Sequence, residues 1–263
     1  MNEKQSHRGD HKDIDITFDT AALSQDSSTS STDVTVARNV MVPMRDGVRL
    51  ATDLYFPARD THQPEPAVFN RTAYNKFGRE AIARFFARHG YLSVTQDCRG
   101  RHNSEGTFFP FRDDPEDGFD TIEWIANHAS CNGKVGMYGC SHDAWVQFHA
   151  ATQNPPGLAT MIPFEGPINA YHYSMREGGA LHMGLLNWAV RQAITSQEAQ
   201  EDPAIAEAVR PMGTDGAYFL EWASRIPWRR GKTPLAMVPQ YEDVVFQLYF
   251  ENNDYTEFWR QPG

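Results

Sequence analysis

A chain of 263 residues that is 40% hydrophobic and 12% aromatic carries enough apolar surface for a full core, which excludes a disordered protein and fits one large domain or a domain with a cap. Its formal net charge of −10 repels phosphate backbones, and no run of Lys and Arg marks a basic face, so nucleic acid is not an expected partner. Cys98, Cys131 and Cys140 form no C-x-x-C pair, no apolar h-region follows Met1, and no stretch approaches about 18 apolar residues, so the expected protein is cytoplasmic and free of membrane spans.

Residues 1–32 are polar and end in Ser27-Ser28-Thr29-Ser30-Ser31-Thr32, a composition read as a disordered tail. From Asp33 onward, alternating Val34, Val36, Val40, Val42 and Met44, a turn at Asp46-Gly47, and then Val48, Leu50, Leu54 and Phe56 predict an antiparallel hairpin. Residues 67–70 read as a short strand, and Ile82, Phe85 and Phe86 as the inner stripe of a helix that stops at Gly90. A strand at 91–95, a helix carrying Phe119, Ile122 and Trp124, and a strand at 135–138 follow. Next come a helix opened by Ser141 and a strand at 160–164. This alternation predicts a mostly parallel sheet with helices on its faces and the hairpin at its edge, over 33–167. Beyond Gly166, Leu181, Leu185 and Trp188 fall at helical spacing, as do 204–209 and 218–223, so 168–263 reads as a helical cap.

The run Gly136-Met137-Tyr138-Gly139-Cys140-Ser141-His142-Asp143-Ala144-Trp145 sits between an apolar strand and a helical pattern, where a serine hydrolase displays its nucleophile. Asp143 takes the place of the second glycine in G-x-S-x-G. Ser141 is thus either a nucleophile on a strained turn or a plain helix N-cap. Adjacent helical residues point about 100° apart, so Ser141, His142 and Asp143 do not make a triad among themselves; His142 is read as lining the site and Asp143 as a first-turn acid favoured by the helix dipole. No His/Cys cluster has metal-ligand spacing, and Gly136-x-x-Gly139 lacks the G-x-G-x-x-G phosphate turn, so neither metal nor cofactor is expected.

The segments Met44-Arg45-Asp46-Gly47-Val48-Arg49-Leu50, Arg71-Thr72-Ala73-Tyr74-Asn75-Lys76, Gln96-Asp97-Cys98-Arg99-Gly100-Arg101 with Ser104-Glu105-Gly106, Asp117-Gly118-Phe119-Asp120-Thr121-Ile122-Glu123-Trp124 and Asn132-Gly133-Lys134-Val135-Gly136-Met137-Tyr138-Gly139 are more specific than the serine motif. Through them the chain resembles the cocaine esterase and Xaa-Pro dipeptidyl-peptidase-like serine hydrolases, which include α-amino acid ester hydrolases. The resemblance implies an α/β-hydrolase core, a helical cap after the sixth strand, then the rest of the core and a jelly roll, of which the chain is expected to carry only the first part. It also implies cleavage of a small ester or peptide through an acyl-enzyme on Ser141. The implied oxyanion donors are the Tyr74 hydroxyl and the His142 backbone N–H.

Three positions depart from the family pattern: His142 where tyrosine is usual, Ala144 at the final glycine, and His102 where the arginine loop usually has glycine. Arg99 and Arg101 are expected to hold loops through Asp97 or Glu105. The fold's chain order is Ser, then acid, then His, yet only His142, His149, His172 and His182 follow Ser141. His149, His172 and His182 are read as ordinary polar or packing histidines. The expectation is therefore a hydrolase whose acid and histidine come from a complementary chain or an absent C-terminal portion, nearly inactive alone. The competing reading is a non-catalytic remnant or pairing module of the same fold, whose unfinished sheet edge demands a partner.

Overall fold

The computed structural model describes residues 34–57 and 63–260; the tail expected over 1–32 lies outside them. The hairpin forms as β1 (Val36–Pro43) and β2 (Arg49–Tyr55), paired antiparallel. Its turn closes through Met44 N–H to the Val48 carbonyl at 2.8 Å, and Gly47 supplies the left-handed backbone there, with φ 89°. The remaining strands are β3 (Glu65–Thr72), β4 (Leu92–Asp97), β5 (Cys131–Cys140) and β6 (Leu158–Phe164). One six-stranded sheet results, in the order β1-β2-β4-β3-β5-β6. Strands β4, β3, β5 and β6 run parallel, and β2 meets β4 antiparallel.

Successive strand residues face opposite sides of the sheet, and the core follows that alternation. Leu54 packs with Phe69, Val94 and Met137 against Ile122 and Ile125 of α2 (Asp114–Ala126) and Ala150 of α3 (His142–Thr152). Its neighbour Tyr55 packs on the other face against Ala83 and Ala87 of α1 (Glu80–Arg88). The expected stripe of α1 needs correction: Ile82, Phe85 and Phe86 are only half-buried, and the two alanines one turn apart form the inner edge. Small side chains let that helix approach the sheet closely.

β6 is an edge strand whose far side has no partner among the described residues. Ile162 and Phe164 are 64% and 45% exposed there. After it comes a two-stranded ladder, β7 (Arg176–Glu177) with β8 (Ala180–Leu181), so Leu181 belongs to a strand and not to the helix expected through it. That helix, α4, spans Met183–Gln192. It is followed by α5 (Gln197–Glu201), α6 (Pro203–Thr214), α7 (Gly216–Ala223), α8 (Pro239–Phe246) and α9 (Glu257–Arg260). Short polar residues start three of these helices: Ser196, Asp202 and Asp215 each accept a first-turn backbone N–H. The helices share one apolar cluster with Ala73, Cys98, Phe108, Phe109 and Val146 from the sheet half of the molecule. No helix among the described residues is long and apolar enough to cross a membrane.

Candidate active site

β5 hands over to α3 in a single residue, Ser141, at φ 60° and ψ −122°. A non-glycine residue at positive φ is strained by roughly 1–3 kcal/mol and persists only where its surroundings hold it. Ser141 N–H donates to the Phe164 carbonyl of β6 at 2.9 Å, and the Ser141 carbonyl accepts from Ala144 and Trp145, both at 3.0 Å. The turn is tight because α3 crosses close behind it: a Cβ on Gly139 would lie 2.5 Å from Asp143 Cβ. Ala144 fits at the position of the usual glycine because it faces Gly166, where an added Cβ would lie 2.6 Å from Ala144 Cβ. The Ser141 side chain makes no capping bond. Its Oγ is left to face the cleft.

Tyr74 stands just past the C-terminal end of β3, in the bend that follows Thr72. Its hydroxyl lies 3.4 Å from Ser141 Oγ and accepts from Trp188 Nε1 at 3.0 Å. The His142 backbone N–H faces the same phenol oxygen. Burial pushes the phenol's pKa up, against the hydrogen bonds it shares with Ser141 and Trp188 and the nearby His142 amide, so it stays a neutral O–H. The Tyr74 segment is anchored from below. Arg71 is fully buried between Asp114 and Asp117, both at 2.8 Å. Lys76, also buried, bonds Asp97 at 3.1 Å and Asn39 at 2.8 Å.

His142 and Asp143 diverge, as helix geometry requires. The buried His142 ring stacks on Trp188, with centroids 5.7 Å apart, and its Nε2 lies 3.8 Å from Asp114. Burial lowers its pKa, so the ring is neutral near pH 7. Asp143 is more than the first-turn acid expected. It is buried and paired with Arg79 at 2.8 Å, and Asn70 donates to it at 3.3 Å. Arg79 in turn lies over the Tyr74 ring, 5.9 Å from its centroid. Nothing in the spacing of residues 79 and 143 signals this pair.

The arginine loop also needs correction. Arg99 pairs with Asp117 at 2.6 Å and Asp46 at 2.7 Å. Arg101 bonds neutral acceptors, while Asp97 is taken by Lys76 and Glu105 by Arg49. Each arginine thus bridges to a more distant element, because Asp97 and Glu105 are already engaged. His102 adopts φ 48°, the left-handed conformation that glycine takes without strain.

A cleft of about 600 Å³ opens over Ser141, lined by Tyr74, Phe111, Trp145, Glu165, Tyr173, His182 and Trp188. Among the aromatic residues of 168–263, Tyr173 and Trp188 line it. Tyr171 packs on Tyr255 and Trp259, and Trp222 on Trp228. His149 is half-buried behind the cleft and accepts from Trp145 Nε1; desolvation pushes its pKa down to about 4. His172 packs on Tyr255, and His182 caps α4 by accepting from Leu185 N–H at 3.1 Å. Among the described residues, no histidine hydrogen-bonds Ser141 Oγ.

A mostly parallel sheet in this strand order, with a serine on the strained turn from its fifth strand into a helix, defines an α/β-hydrolase. Residues 46–263 match the family model for X-Pro dipeptidyl-peptidase (S15 family), and the chain belongs to that family of esterase- and peptidase-like hydrolases. It is similar to the cocaine esterase of Rhodococcus sp. (strain MB1 Bresler), with 43% identity over 162 residues that cover 59% of this chain and 28% of the relative. A CocE/NonD family hydrolase from Staphylococcus aureus superimposes with TM-score 0.57 at 25% identity, covering 65% of this chain and 36% of that one. An α-amino acid ester hydrolase gives TM-score 0.56 at 25% identity, covering 82% and 41%. The match spans less than a third of the cocaine esterase's length.

Proposed function

We propose that this chain is the nucleophile-bearing part of a serine hydrolase that cleaves a small ester or amide through an acyl-enzyme on Ser141. The observation that carries the reading is the Tyr74 hydroxyl standing 3.4 Å from the Oγ of a strained serine that opens a helix, with the His142 amide next in the chain. Attack by Oγ on a substrate carbonyl moves one electron pair onto the carbonyl oxygen, and these two donors would receive it. The hydroxyl proton needs a base. None is hydrogen-bonded to Oγ among the described residues, so the reading takes the histidine and its orienting acid from polypeptide outside them, either a complementary chain or a further segment.

On this reading, 33–167 forms the hydrolase core and 168–263 the cap that roofs the cleft. The aromatic walls suit an apolar acyl or leaving group, as the similarity to a cocaine esterase and an α-amino acid ester hydrolase also supports. Cys98, Cys131 and Cys140 are all unbridged, which supports a reducing, cytoplasmic setting.

The test is labelling by a fluorophosphonate probe. It is applied to this chain alone and joined to the portion of the Rhodococcus enzyme beyond the matched region. Labelling of the joined protein that disappears in Ser141→Ala is the expected result. No labelling in either form would favour a non-catalytic pairing module, for which the unpaired β6 edge is the supporting observation.

A further inference from the structure

Helix α4 is tied to the Ala73–Tyr74 segment twice. Trp188 Nε1 donates to the Tyr74 hydroxyl at 3.0 Å. One turn further on, the Gln192 carbonyl accepts from Arg101 Nη1 at 2.9 Å, and the same guanidinium donates through Nε to the Ala73 carbonyl at 3.0 Å. Arg101 is buried and has no carboxylate partner among the described residues; its other acceptors are Tyr241 OH and Thr195 Oγ1, each at 2.6 Å. A buried cation spent wholly on neutral acceptors makes a stiff bracket between the loop and the helix.

A phenol has one proton and two acceptor lone pairs, whereas an indole N–H can only donate. The Tyr74 oxygen therefore receives the Trp188 proton and keeps its own. The hydrogen-bond partner that can accept that proton is Ser141 Oγ, 3.4 Å away. We propose that Trp188 is a positioning residue for the oxyanion site: its indole N–H occupies the back of the Tyr74 oxygen, so the phenol proton is aimed at Ser141. The assignment rests on the reading of Tyr74 as an oxyanion donor. It makes the seating of α4 a condition for that site, so that the helix over the cleft builds the chemistry as well as enclosing it.

Donation by Trp188 also stabilises the phenolate and strengthens the phenol as a donor, opposing the burial and the Asp143 charge that push the phenol up. The other groups facing the ring are the Arg79 guanidinium and the neutral His142 ring, 6.2 Å away. Both residues are retained in the variants below, and benzothienylalanine also keeps the stacking on His142.

The test places 3,5-difluorotyrosine at position 74, which lowers the phenol's ionisation into the range where the folded protein is handled, and follows phenolate absorbance against pH. Three proteins are compared: Trp188, Trp188→Phe, and benzothienylalanine at 188, which keeps the ring volume and the stacking on His142 but lacks the N–H. The expected result is an upward shift of the titration midpoint in both altered proteins. An unchanged midpoint with benzothienylalanine, or a shift confined to Trp188→Phe, would overturn the assignment. The oxyanion reading is tested separately, by the effect of Tyr74→Phe on fluorophosphonate labelling of the joined protein. Labelling that does not slow overturns that reading whatever the titration shows.

Discussion

The two flanks of Ser141 are built differently. Toward β3 the serine meets Tyr74, which is held by Trp188 and underlain by Arg79–Asp143, Arg71–Asp114–Asp117 and Lys76–Asp97, all buried except the half-buried Arg79. Toward β6 its backbone joins Phe164, and beyond lie an unpaired strand edge, Ile162 and Phe164 exposed, and Ile168 at 75% exposure. On the proposed reading, the donors that would bind a developing negative charge are thus pre-organised by their neighbours. The flank toward β6 is bare apolar surface. A preformed donor site costs no reorganisation when charge develops, whereas a proton acceptor can be completed by another segment.

This contrast can be broken or sharpened by experiment. The largest effect is expected from Arg71→Met, which leaves Asp114 and Asp117 buried with a cation removed: a loss of about 3–5 kcal/mol in urea unfolding. A loss under about 1 kcal/mol would mean the built flank is not held by its ion pairs. Next comes His149. Its folded pKa of about 4 lies below its ordinary value of 6.5, so the unfolded chain binds the extra proton. Its contribution is complete above pH 6.5 and is lost as pH falls toward 4, on the order of 3 kcal/mol across that window. His142, also lowered by burial, adds slope of the same sign. Unfolding free energy measured from pH 7 to pH 4 should therefore fall less steeply in His149→Gln, and an equal slope would remove His149 from the account.

Tyr74→Phe should slow fluorophosphonate labelling of the joined protein about 100-fold, the usual cost of one oxyanion donor. The smallest effect belongs to the bare flank. Ile162→Lys should change unfolding free energy by no more than about 0.5 kcal/mol in the chain alone, as expected for an exposed edge position. A clearly larger loss, together with a concentration-dependent melting temperature, would mean that a second copy covers the edge.

Much of this was legible in the chain itself. Alternation and turn residues located all six strands of the sheet, because each strand's pattern is set by which of its faces is buried. The quoted segments placed Tyr74 and Ser141 in one site, although 67 positions separate them. What stayed hidden are pairings between distant polar groups. Arg101 reaches Gln192 and Tyr241 rather than the nearby Glu105, and Arg79 finds Asp143, because a charge buried by packing takes whichever acceptor the packing brings to it. The inner stripe of α1 was misread for a related reason: the larger residues look like core, but close approach to the sheet selects Ala83 and Ala87.

The sequence by itself determined the α/β class, the strand-to-helix turn at Ser141 and the divergence of His142 from Asp143, all of which follow from local periodicity and helix geometry. Only the tertiary structure decided that Trp188 caps the Tyr74 oxygen, that Arg71 and Lys76 are fully buried ions, and that β6 stands open. Those outcomes depend on which surfaces meet across the fold, and no local pattern records them.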